Sequence, residues 1–216
     1  MMTRHGAGAL LIAGLTFLCS CVAKVDYTLY RSRVPRSILV LPPLNESTVV
    51  EASYTYLSTV TRPLAEDGYY VFPVAVIDAF MKDNGLPHPD EMHGVPLNKI
   101  KEVIGPDAVL YVTIEEWGQK YQVIASKTIV RARARLVDAT TGATLWTGKA
   151  EAVRDSGGSG PVERMVAAVI HQIIYSSIDQ TPQVSRLANN NMVFNSANGL
   201  LRGPRHPEFN SDQRGR

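Results

Sequence analysis

Ile38 to Leu41 is an unbroken apolar run closed by Pro42 and Pro43, the pattern of a strand buried on both faces. Thr48 and Glu51 then stand at capping-box spacing, opening a helix whose apolar side is Tyr54, Leu57, Val60 and Leu64, with Pro63 set to kink or end it. Gly68 stops that stretch, and Tyr69 to Val74 reads as a second strand. A short helix from Val76 to Lys82 closes at Asn84-Gly85. Pro96 suits a first helical position, and Leu97, Ile100, Val103 and Ile104 share one face behind it. Gly105-Pro106 ends this helix, and Ala108 to Ile114 is a third apolar strand.

From residue 124 the period changes to two. Even positions run Ile124, Ser126, Thr128, Val130, Ala132, Ala134 and Leu136, while odd positions carry Lys127, Arg131, Arg133 and Arg135. Such alternation means one covered and one wet face. Asp138 to Gly142 makes the turn, and Ala143 to Arg154 returns. With Val137 facing Ala143, Trp146 falls opposite Ala134, Arg131 opposite Lys149 and Ile129 opposite Glu151. A Ser-Gly loop from Asp155 to Gly160 leads to a helix opened by Pro161, with a stripe of Val162, Met165, Val166, Val169, Ile170 and Ile173. The expected fold is α/β: a three-layer mixed sheet, parallel strands followed by an antiparallel hairpin, with helices packed on the sheet. It occupies residues 36–180, and residues 181–216 form a tail, flexible or strapped to the domain.

The first residues change the picture from fold to address. Arg4 and His5 precede an apolar run from Ala7 to Leu18, too short to span a bilayer but suited to a secretory signal of residues 1–20. Leu18-Cys19-Ser20-Cys21 resembles a lipobox, with Cys21 as the lipidated residue. Residues 21–35 then form the lipidated N-terminus and a tether. Val22 follows the cysteine where many Gram-negative lipoproteins retained in the inner membrane have aspartate, so the expected location is the outer membrane, periplasmic side. Cys19 and Cys21 are the only cysteines, which excludes a disulfide scaffold and a multi-thiolate zinc site in the folded domain.

Charge excludes a further class. Lys and Arg total 22 against 20 acids, net +2, without the basic excess of a nucleic-acid clamp. With 45% hydrophobic residues, the chain can bury one sizeable core. Two loops hold candidate chemistry. His88, Asp90, Glu91 and His93 could bind a metal for hydrolysis, but their spacing is not that of a helical zinc-protease motif and two prolines disfavour a helix there; a solvated loop is the simpler reading. Gly157-Gly158-Ser159-Gly160 precedes a helix but lacks both a nucleophile elbow and a P-loop lysine. His171 reads as a structural histidine. The row Lys127, Arg131, Arg133, Arg135 is either a solvated strand face or a surface for an acidic partner.

The segments RSILVLPPLNES, YLSTVTRPLAEDGYYVFPVAV, EMHGVPL, GPDAVLYVTIEEWG and LVDATTGATLWTG resemble a family of outer-membrane lipoproteins of unknown function, often encoded beside a CsgG-like lipoprotein. The tail segment GLLRGPRHPEF resembles it too, which favours an ordered tail. The resemblance implies a fold similar to the TolB N-terminal domain and to LpoB, with no catalytic residues, metal or cofactor to carry over. The function it implies is a non-enzymatic, lipid-anchored periplasmic interaction module, accessory to a secretion or envelope assembly. Its partners would be the outer membrane through Cys21 and an envelope protein, with a CsgG-like lipoprotein the implied neighbour. The alternatives are an LpoB-like regulator of peptidoglycan synthesis and the metal-dependent hydrolase.

Overall fold

The structure, a computed structural model, describes residues 26–122, 125–155 and 180–212. Its centre is a mixed sheet built from β1 (Ser37–Val40), β2 (Leu44–Asn45), β3 (Tyr70–Val71), β4 (Ala108–Gln122), β5 (Ala125–Asp138) and β6 (Thr144–Asp155). Spatial order is β3-β1-β4-β5-β6, with β2 continuing the line of β1 along β4. The first half is parallel: β1 pairs with both β3 and β4, and β2 with β4. The second half is an antiparallel meander of β4, β5 and β6. This is the open mixed α/β sheet that the apolar runs and the change of period predict.

The parallel half is buried on both faces, which explains its unbroken apolar runs. On one face Ile38, Val40, Ala108, Leu110 and Val112 pack under α2 (Ala52–Glu66) and α6 (Thr181–Val193). On the other, Leu39, Leu41 and Val109 meet Ile77 and Met81 of α3 (Val74–Asp83), Met92 of α4 (Pro89–His93) and Ile100 of α5 (Leu97–Val103).

Several local expectations shift. Helix α2 starts at Ala52 with Glu51 as N-cap and no side-chain cap, so the Thr48–Glu51 box does not form. Asn45 organises that entry instead, accepting from the Ser47 amide at 3.0 Å and donating to the Val49 carbonyl at 2.7 Å. The buried face of α2 contains Tyr56, Leu57, Val60 and Leu64, while Tyr54 is exposed, one position off that stripe. Pro63 sits inside α2 without ending it. Val103 likewise is exposed at the last turn of α5. The second strand shortens to two residues because Pro73 already caps α3.

The third strand runs eight residues past Ile114, because a bulge between Ile114 and Glu116 keeps β4 paired with β5. The turn pairs Val137 with Thr144 rather than Ala143, and a second irregularity at Leu136/Val137 adds one more step, so the hairpin register differs by two from the expected one. Trp146 therefore faces Leu136 rather than Ala134, Arg131 faces Glu151 rather than Lys149, and Ile129 faces Val153 rather than Glu151. The like-charged pair expected at Arg131 becomes an opposite-charge pair. The small partner of the Trp146 ring is Gly148 on the same strand, where a β-carbon would stand 2.2 Å from the ring.

Both ends of the described chain join the core. Tyr27 and Tyr30, flanking and within α1 (Thr28–Ser32), are buried, so folded structure begins before Arg36. Helix α6 buries Val184, Ala188, Met192 and Val193, and Leu200 and Leu201 follow them inward. The expected helix at residues 161–173, the Gly157–Gly160 loop and His171 lie outside the described residues, as do Cys19 and Cys21.

Candidate functional site

The alternation of β5 places its arginines on the open face of the meander, and β4 supplies acids to meet them. Because the bulge sets two residues of β4 against one of β5, the consecutive Glu115 and Glu116 both reach that face. Arg131 pairs with Glu116 and, at 2.8 Å, with Glu151 on β6. Arg133 pairs with Glu115 at 2.6 Å and approaches Glu46 at 3.8 Å. Lys120 joins the group through Glu116. Lys127 lies in register between Lys120 and Asp155. The predicted basic row is therefore an interleaved field of both signs. Sequence reading missed the acids because only a bulge brings Glu115 and Glu116 to one face.

Arg135 takes a different partner. Its guanidinium lies 5.0 Å from the centroid of Tyr111, and His93 meets the same ring edge-on at 5.3 Å. Such a contact is worth about 0.5–1 kcal/mol at an exposed site. The Nε2 atom of His93 lies 2.9 Å from the Pro42 carbonyl. Burial, with the nearby Arg135 charge, outweighs that bond and holds the imidazole below its ordinary value of 6.5. The His88–His93 segment is thus a short helix, since Pro89 takes the first-turn position that tolerates proline. Glu91 reaches back to the His88 amide at 3.2 Å as a cap. His88, Glu91 and His93 serve local structure, and among the described residues no group of three His, Cys, Asp or Glu could hold a metal ion.

The opposite end of the sheet carries an arrangement the sequence did not disclose. The segment after α6 crosses the start of β3 as a strap: the Gly203 amide donates to the Asp67 carbonyl at 2.7 Å and the Arg205 amide to that of Gly68 at 3.2 Å. Gly68 has φ +94°, and a β-carbon there would stand 2.4 Å from the His206 amide nitrogen. Glycine is what lets the two chains touch. Three tyrosines staple the strap to α1. Tyr27 donates to the Gly199 carbonyl, the hydroxyls of Tyr30 and Tyr69 bond each other, and Tyr69 donates to the Leu201 carbonyl. Trp146 adds a bond from Nε1 to Asn198 at 3.0 Å. Burying Leu200 and Leu201 contributes about 2 kcal/mol each, against about 1 for each neutral hydrogen bond. Apolar burial holds the strap, and the hydroxyls set its register.

Comparison with known proteins places the chain in a family. Residues 25–205 match the family described as "Putative lipoprotein GNA1162-like". This chain belongs to the GNA1162-like lipoprotein family. A relative from Neisseria meningitidis serogroup B, described as "Putative lipoprotein NMB1124/NMB1162", is 44% identical over 186 residues, covering 85% of this chain and 86% of the relative. The crystal structure of lipoprotein GNA1162 from Neisseria meningitidis is 43% identical, covers 65% of this chain and 99% of its own, and superposes with a TM-score of 0.55. The LpoB C-terminal domain from Salmonella enterica is 21% identical over 54% of this chain and 82% of its own, with a TM-score of 0.38. At that level the likeness extends to neither activity nor partner. The family description names a lipoprotein and no reaction. Among the described residues, no helix is long and apolar enough to cross a membrane.

Proposed function

We propose that this GNA1162-like protein is a lipid-anchored interaction module, acylated at Cys21 and held on the periplasmic side of the outer membrane, accessory to a secretion or envelope assembly. One observation carries the reading: Cys21, in a segment that resembles a lipobox, stands six residues before Tyr27, the first buried side chain among the described residues. The chain between them reaches at most about 20 Å. A lipid at Cys21 would therefore keep the domain at the bilayer. Two or three acyl chains on one residue suffice for stable anchoring.

The partner surface we assign is the open face of β4, β5 and β6, carrying Lys127, Arg131, Arg133 and Arg135 among their acids. Interleaved charge contributes little to stability, since exposed pairs are worth about 0–1 kcal/mol each. It gives registration and specificity to a charged protein surface. Replacing Cys21 by alanine is expected to release the protein from the outer-membrane fraction into the soluble periplasm. Retention in that fraction would show that something other than acylation holds it. Crosslinking through Lys127 or Lys149 on intact envelopes is expected to recover one defined protein. Recovery of scattered background, unchanged by Arg131→Glu and Arg133→Glu, would remove the surface assignment.

A further inference from the structure

We infer that the base of the domain around α1 is a lipid-facing surface that binds anionic headgroups and fixes the orientation of the molecule on the bilayer. The inference rests on the reading of Cys21 as the anchor. Tyr27 and Tyr30 bury one side of α1 against the strap, leaving Leu29 on the outward side at 40% exposure. Arg33, four residues on, and Arg36 are exposed. An exposed leucine beside arginines, within sixteen residues of the anchor, matches the boundary between acyl chains and phosphates.

Three carboxylates at this end accept hydrogen bonds from the chain itself. Asp26 accepts from the Thr28 amide at 2.8 Å. Asp107 accepts from the Arg36 and Ser37 amides and the Ser37 hydroxyl at 3.0–3.1 Å. Asp138 accepts from the Thr140 and Thr141 amides and the Thr141 hydroxyl at 2.7–3.1 Å. Arg33 lies near enough to Asp138 to help lower its pKa, which places it beside the β5–β6 turn. The starts of β1 and β4, the end of β5 and α1 thus share one end of the sheet. The far ends of β4 and β5 stand roughly 45 Å away along β4. A tether of about 20 Å lets the first end meet the membrane and not the second.

The test uses the acylated full chain on vesicles. On the Cys21 reading it keeps no free thiol, so Leu29→Cys or Val153→Cys accepts a single fluorescent label. On vesicles containing phosphatidylglycerol, a label at 29 is expected to be shielded from a water-soluble quencher, and a label at 153 to stay accessible. On phosphatidylcholine alone the shielding at 29 should fall. On the phosphatidylglycerol vesicles Arg33→Glu with Arg36→Glu should also lower it, by about fivefold in surface occupancy for each charge lost. Arg33→Gln with Arg36→Gln serves as a milder pair should the reversal fail to fold. Equal quenching at 29 and 153, or shielding indifferent to lipid charge, would overturn the inference while the anchor stands. A chain that does not float with vesicles at all overturns the anchor and the inference together.

Discussion

His93 shows how one side chain ties a sheet face to pH. Its imidazole is held below 6.5 chiefly by burial and further by the Arg135 charge, against the pull of the Pro42 carbonyl and Asp90. The unfolded chain therefore takes up the proton first. Stability is full above 6.5 and declines as pH falls from there through the lower folded pKa. His93→Gln is expected to flatten that slope in urea melts measured at a series of pH values. An unchanged slope would place the acid sensitivity elsewhere. Gly148 illustrates a purely steric demand, because the Trp146 ring and Met192 occupy the space of a β-carbon. Gly148→Ala should cost about 1–3 kcal/mol, read as a lower denaturation midpoint. At this scale the sequence disclosed the arginines of β5 by alternation but not their partners. Glu115 and Glu116 are adjacent, and regular pleating would send them to opposite faces. The bulge overrides it.

Among elements, the strands and helices with strong apolar periods were legible, because burial on both faces writes itself as Ile38–Leu41 and Ala108–Ile114. Helix α6 was not. Its sequence TPQVSRLANNNMV is rich in polar residues, and three of them are buried: Thr181, Ser185 and Asn189. Ser185 and Asn189 meet Thr59 of α2 at 2.7 and 3.1 Å, so a polar seam stands where a pattern reader expects an apolar stripe. Tyr56 deepens the same core, with its hydroxyl fully buried and its pKa pushed up by desolvation. The strap was legible only as one of two readings of the tail, flexible or strapped, because its docking depends on tyrosine hydroxyls and carbonyls distant in sequence. Tyr69→Phe would remove the bonds from this hydroxyl to the Leu201 carbonyl and to the Tyr30 hydroxyl. The expected loss is about 1–3 kcal/mol, with faster hydrogen exchange at the Gly203 and Arg205 amides. Exchange unchanged at both positions would show that Leu200 and Leu201 fix the strap alone.

For the whole molecule, two regions of opposite character stand at the two ends of one sheet. The base holds α1, the strap and the exposed Leu29, while the meander extends from it as a charged arm. A chain ending at Asn198 lacks Leu200, Leu201 and every strap bond beyond them. Its thermal unfolding is expected to lose cooperativity, with exposed apolar surface detectable by dye binding. A sharp transition near that of the full chain would show the base to be dispensable. The staple also bears on timing. Tyr27 bonds a residue 172 positions later, and Tyr69 one 132 positions later. Contacts of such separation form late, after the intervening loop has been closed at its full entropic cost. During synthesis or threading through a membrane pore, the earliest part of the domain must wait for Gly199 and Leu201 before the core can close. The chain stays slack, and open to chaperones, until the strap arrives.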